Sequence, residues 1–246
     1  FNGNTQNAFI QNKGQFPNQV VSKVNIPSGS LYIEKDGLFY SFYSSNDLRA
    51  THDSPEEQHL INTHSYRVNF LNSNFNVENE LYHQSNYYEN YYIGNDSLWA
   101  EYVRSYKFLE QRNIYNGVDI KYYVYNNRLK YDFIVSPNSS TKQINLHYDG
   151  VDEIELYKEN IYIKTSVNSV LEYAPFAYQI INGDTIEIVC KYLLKNQTVS
   201  FDFPEGYNKE YKLIIDPILD FSTYSGSTTD NFGYTATYDK LGFLYS

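Results

Sequence analysis

The 246-residue sequence contains no methionine, one cysteine and one tryptophan. It also has no apolar run of about 18 residues, the length needed to cross a bilayer as a helix. With Cys190 alone, there is no internal disulfide framework and no cysteine-based zinc site. Basic residues are scarce: 19 Lys and Arg stand against 29 Asp and Glu, a formal net charge of −10. Nucleic acid and anionic membrane surfaces both need a basic face, so both are disfavoured as partners. The sequence shows no G-x-S-x-G elbow, no G-x-G-x-x-G or phosphate loop, and no H-E-x-x-H. The chain starts at Phe1 without any methionine, as expected of a processed N-terminus or an excised fragment.

What is abundant is tyrosine, with 28 residues. Asparagine is also prominent, and AT-rich codons account for part of both. The dominant pattern is period two, the signature of half-buried strands. Leu31–Glu34 and Leu38–Tyr43 flank Lys35-Asp36-Gly37, where Asp-Gly predicts a hairpin with glycine at positive φ. Val118, Ile120, Tyr122 and Val124 alternate, as do Leu129, Tyr131, Phe133 and Val135, with Asn126-Asn127 as the turn. Ile154 and Leu156 pair with Ile161 and Ile163 across Lys158-Glu159-Asn160. Ile186, Ile188, Cys190, Tyr192 and Leu194 read as one inward row, and Asn196-Gln197 turns into Val199, Phe201 and Phe203. Such spacing predicts an all-β, antiparallel sandwich-type or barrel-like module. Ser45 to Asn62 reads as a long polar loop, with a helical turn at most near Pro55–His59. The expected organisation is a module over 1–217, with a candidate internal break near 136–150. The start of a β-propeller-like repeat then follows over 218–246.

Several segments together resemble a known family. Gln11-Asn-Lys-Gly-Gln-Phe-Pro-Asn-Gln-Val20 is similar to the "ENxGQ" opening of a domain in large secreted proteins of the Bacteroidota. Asn90-Tyr-Tyr-Ile-Gly-Asn-Asp96 with Trp99 resembles its "NYFxGND…W" segment. Asn113 to Tyr123 and Leu129 to Pro137 resemble "NLYPGIDLxYY" and "LKYDFxVxPG". Glu172 to Gln179 and Leu213 to Pro217 resemble "PxAYQ" and "LxIDP". Phe221 to Ser246 looks like the first of the SBBP-type repeats that follow this domain. Two departures affect turns: Asn138-Ser139 replaces a glycine after the proline, and Ser225-Gly226-Ser227 replaces a double glycine. The resemblance implies a non-enzymatic, exported module at the outer cell surface, tied to type IX secretion, gliding motility or adhesion. It also implies an outer-membrane or surface protein as partner, and it carries over no catalytic residue and no cofactor.

Read residue by residue, the candidates are few. Asp119 and Asp132 would share the outer face of one hairpin. Two carboxyls about 5–10 Å apart serve glycosidases, but solvated strand faces carry such residues routinely. His52, His59 and His64 lie in or near the polar loop without metal-ligand spacing. Tyr87, Tyr88, Tyr91 and Tyr92 are candidate glycan-stacking residues, set against packing of the same rings into the core. Trp99 reads as core and Cys190 as a small buried hydrophobe. Ser97 and Thr185 match an Asp-Ser/Thr-apolar pattern for bacterial O-glycosylation. Three functions follow: assembly with a surface partner through a strand edge, carbohydrate binding through exposed tyrosines, or, favoured by no feature of the sequence, a glycoside hydrolase-like enzyme.

Overall fold

The computed structural model describes residues 8–53, 60–74, 76–92, 94, 96, 99–125, 128–222, 237–238 and 244–245. The strands are β1 (Phe9–Gln11), β2 (Val20–Ile26), β3 (Gly29–Glu34), β4 (Gly37–Tyr43), β5 (Thr63–Phe70) and β6 (Glu78–Tyr91). They continue as β7 (Ala100–Tyr115), β8 (Val118–Tyr125), β9 (Arg128–Val135), β10 (Leu146–Asp149), β11 (Glu153–Tyr157) and β12 (Asn160–Lys164). The last of this sheet are β13 (Ser169–Ile181), β14 (Asp184–Ile188), β15 (Lys191–Lys195), β16 (Thr198–Asp202) and β17 (Leu213–Ser222). One helix, α1 (Ser45–Asp53), lies between β4 and β5.

The expected all-β, antiparallel class holds, and its form is one continuous sheet that curls into a nearly closed barrel. The hydrogen-bonded run is β15–β16–β10–β5–β4–β3–β2–β1–β7–β8–β9–β17–β13–β12–β11. β14 joins β13 beside β12, and β6 pairs along the outer edge of β7. One hydrophobic cluster, from Phe9 to Leu219, draws on strands from both sides of 136–150. β17 runs past Pro217 to Ser222 without leaving the ladder. Most of 218–246 lies outside the described residues; a two-residue ladder pairs Thr237 with Tyr245 and Tyr238 with Leu244.

The predicted hairpins form in the expected register. Val118, Ile120, Tyr122 and Val124 face Val135, Phe133, Tyr131 and Leu129. Ile154 and Leu156 face Ile163 and Ile161. Asn196 and Gln197 turn with φ of 49° and 58°. Four expectations are corrected. Gly37 opens β4 but is absent from the positive-φ residues; glycine is needed because a Cβ there would meet the Val68 carbonyl oxygen at 2.3 Å. Within 45–62, a nine-residue helix replaces the loop. Its cap is Ser44, whose Oγ accepts from the Asp47 amide at 3.2 Å, while Asp47 holds the Asn62 amide at 2.9 Å. Ile186 to Leu194 is not one row, because β14 and β15 pair with different strands and Ile186 is exposed. Trp99 is 48% exposed rather than core, because it stands beyond the end of β6.

Tyrosine does much of the packing. Tyr40 stacks on Tyr66 at 4.7 Å, and Tyr131, Tyr148 and Tyr192 are buried around them. A buried hydroxyl without a partner is costly. Glu172 on β13 resolves this for three strands at once: it accepts from Tyr131 at 2.5 Å, Tyr148 at 2.9 Å and Tyr192 at 2.9 Å. The carboxyl is fully buried, which raises its pKa, and the three hydroxyls oppose that rise. Glu172→Ala leaves three hydroxyls unpaired at about 1–3 kcal/mol each. Chemical denaturation should show a loss of several kcal/mol, with Glu172→Gln retaining much of the difference; a loss within 1 kcal/mol for the alanine variant would contradict this role.

Candidate binding face

The segment after β1 is built on one side chain. Asn12 Nδ2 donates to the carbonyls of Phe16 (3.2 Å), Pro17 (3.0 Å) and Val20 (2.8 Å). Its Oδ1 accepts from the amides of Gly14 (2.9 Å) and Phe16 (3.3 Å). Gln15 adds a bond to the Gln11 carbonyl at 2.7 Å. An amide side chain can both donate and accept in this way, where Asp could only accept. The loop is thereby pinned, and it sets Phe16 and Pro17 beside the outer face of β3 and β4.

On that face, alternation places a row of unlike residues side by side. Lys23 opposes Tyr32, Tyr32 opposes Phe39, and Phe39 opposes Arg67. Phe16 meets Tyr32 edge-on at 5.7 Å, and the Arg67 guanidinium lies 5.6 Å from the Phe39 ring. These residues and Ser41, Gln19, Val20 and Glu34 bound a cleft of about 410 Å³. Glu34 is 2% exposed. Its Oε1 accepts from Arg67 Nη2 at 3.1 Å, and its Oε2 has no hydrogen-bond partner among the described residues. Burial raises the Glu34 pKa; Arg67 opposes the rise and Asp36 adds to it. Gln111 fixes the backbone beneath, donating to the Glu34 carbonyl at 2.9 Å while accepting from Tyr122 at 2.8 Å. The cleft was not legible from composition or spacing, since its walls come from distant segments.

The aromatic surface continues from the cleft onto the β6–β7 arm. Tyr91 packs on Phe16 at 5.7 Å and donates to Glu89 at 2.6 Å, so it is half-buried. Tyr87, Tyr88 and Tyr92 are exposed, as are Trp99 and Tyr102. Tyr88 lies 5.0 Å from Tyr102 and 5.1 Å from the Arg104 guanidinium. Tyr92 meets Trp99 at 5.1 Å and donates to Glu101 at 2.7 Å. Three of the four candidate stacking tyrosines therefore share an open arm, and Tyr91 joins it to the cleft. Thr185 is exposed on β14; Ser97 lies outside the described residues.

The carboxyl pair considered from sequence is rearranged. Asp119 accepts from the Asn113 amide at 2.7 Å, where β7 bulges before β8. Asp132 instead neighbours Asp216 on β17, whose charge adds to the rise that burial imposes on its pKa. Tyr123 donates to Asp132 at 3.1 Å, and Lys130 to Asp216 at 2.6 Å. Directly opposed like charges are unfavourable, so a shared proton is the natural resolution. His64 is engaged by Ser166 at 2.9 Å and the Gly150 carbonyl at 2.8 Å. No group of metal-ligating side chains occurs among the described residues; the His52 and His59 side chains lie outside them. Cys190 is half-buried, and burial with nearby Asp202 pushes its thiol up to about 12, far from a reactive thiolate.

Fold and face together define an antiparallel all-β module with a polar-bridged tyrosine core, an outer cleft and an aromatic arm. The chain belongs to the family described as a domain of unknown function, DUF7948, whose model matches residues 9–218. No curated protein and no solved structure matches it. Among the described residues, no helix is long and apolar enough to cross a membrane.

Burial, and next the Asp216 charge, push the Asp132 carboxyl up to about 7. The folded state then holds a proton that the unfolded chain, with an ordinary value of about 4, releases. That contribution to stability is complete below about pH 4 and is lost as the pH rises through about 7. Thermal melts should fall between pH 5 and pH 8 by a few degrees. Asp132→Asn should flatten that slope and melt higher than the parent at pH 8. An unchanged slope in this variant would refute the shared proton.

Proposed function

We propose that this domain is a non-catalytic module of the bacterial outer surface, which assembles with another surface or secretion protein through the β6–β7 arm. The observation that carries the reading is the arm itself. β6 spans Glu78–Tyr91, pairs with β7 alone among the described residues, and leaves its other edge unpaired. An unpaired edge exposes backbone donors and acceptors that a partner strand can complete. On the same arm stand the exposed Tyr87, Tyr88, Tyr92, Trp99 and Tyr102, with Arg104 against Tyr88, and Tyr, Trp and Arg dominate the energetics of protein interfaces. Export, type IX secretion and a role in motility or adhesion rest on the sequence resemblance described above.

Carbohydrate binding on the same arm is the second reading, favoured by the exposed Tyr92–Trp99 pair. A photo-crosslinking residue at Tyr87 of the whole protein, activated on intact cells, separates the two. The assembly reading expects one discrete adduct with an outer-membrane or surface protein, and none from the same probe at exposed Glu153. No adduct from Tyr87, or equal adducts from both positions, would overturn it and favour the glycan.

A further inference from the structure

We infer that the cleft beneath the Asn12 loop binds a neutral pyranose ring, at a site distinct from the β6 edge and independent of the assembly reading. Its volume, about 410 Å³, falls in the range of small-molecule sites. Its chemistry narrows the occupant. A cation is disfavoured because Arg67 lines the cleft and already lies over Phe39. An anion is disfavoured because the buried Glu34 carboxyl forms part of the lining, on a chain of net charge −10. An entirely apolar ligand would leave Glu34 Oε2 without a partner.

A sugar ring meets each of these requirements. One hydroxyl donates to Glu34 Oε2, a second accepts from the Arg67 guanidinium, and the carbon-bound hydrogens lie against the corner formed by Phe16 and Tyr32. Those two rings stand at 83° to each other, giving a wall and a floor. Glu34 Oε2 is buried in the unliganded protein, and the neighbouring Arg67, bonded to the other carboxylate oxygen, is adjustable. The Arg67 side chain is 40% exposed and holds Oε1 through Nη2 at 3.1 Å. A modest swing of the guanidinium opens Oε2 and brings its free donors toward the ring. Asn12 acts as a positioning residue, because it holds Phe16 and Pro17 against the cleft.

The test is saturation-transfer NMR of the whole chain with methyl glycosides of glucose, galactose and mannose and with N-acetylglucosamine. At least one should bind with a dissociation constant of about 10 mM or tighter. Glu34→Gln should weaken it at least tenfold, and this variant keeps its fold because it removes a buried charge. Ser41→Trp, which fills the cleft from β4 and leaves Glu34 and Arg67 in place, should abolish it. Trp99→Ala should leave it unchanged. Absence of transfer from all four sugars would overturn the inference, as would binding that survives Ser41→Trp. Binding lost in Trp99→Ala but retained in Glu34→Gln would also overturn it, placing the sugar on the arm.

Discussion

The barrel depends on a single buried carboxyl. Tyr131, Tyr148 and Tyr192 come from β9, β10 and β15, which do not pair with one another, and all three end on Glu172 of β13. Tyrosine offers more contact area than leucine, but each ring brings a hydroxyl that must be satisfied. A core with so many tyrosines is consistent only if the hydroxyls converge. Glu172 makes them converge and fixes how far the two sides of the sheet stand apart. Apolar side chains of similar size could fill the space, but they would not specify which strands meet.

The same device recurs in smaller form. Asn12 shapes the loop after β1, Gln111 bridges β7 to the Glu34 backbone, and Gln179 of β13 holds Asn208 through both its amide groups. Each is a side chain with donor and acceptor capacity that bonds to backbone carbonyls. The outer face inherits its geometry from them. The cleft lies where the Asn12 loop meets β3, and the arm begins where Tyr91 leans on Phe16.

Sequence patterns revealed the elements whose information is local. Alternation located β8, β9, β11, β12 and β16, and paired turn residues located their hairpins. Position on the sheet was less accessible. Trp99 reads as core by residue type, yet it stands past the end of β6, half exposed against Tyr92. Gly37 reads as a turn glycine, whereas the constraint is a carbonyl oxygen on a strand that follows only after α1. The Ser44 cap and Asp47 were a local signal for α1, outweighed by the polarity of the segment. Asp216 could not be linked to Asp132 by any spacing rule, since only the insertion of β17 beside β9 brings them together. Several residues of the motifs quoted above have a physical role in the structure, including Asn12, Asp132, Gln179 and Asp216.

β17 is the last strand of the large sheet in chain order, yet it lies inside the sheet, bonded to β9 on one side and β13 on the other. The gap it fills cannot be closed by any earlier segment. A chain synthesised N-terminus first therefore carries an open seam beside Glu172 until Leu213–Ser222 has emerged. Long-range closure of this kind is slow relative to local pairing. The seam between β9 and β13 is thus completed by the last strand of the sheet in chain order.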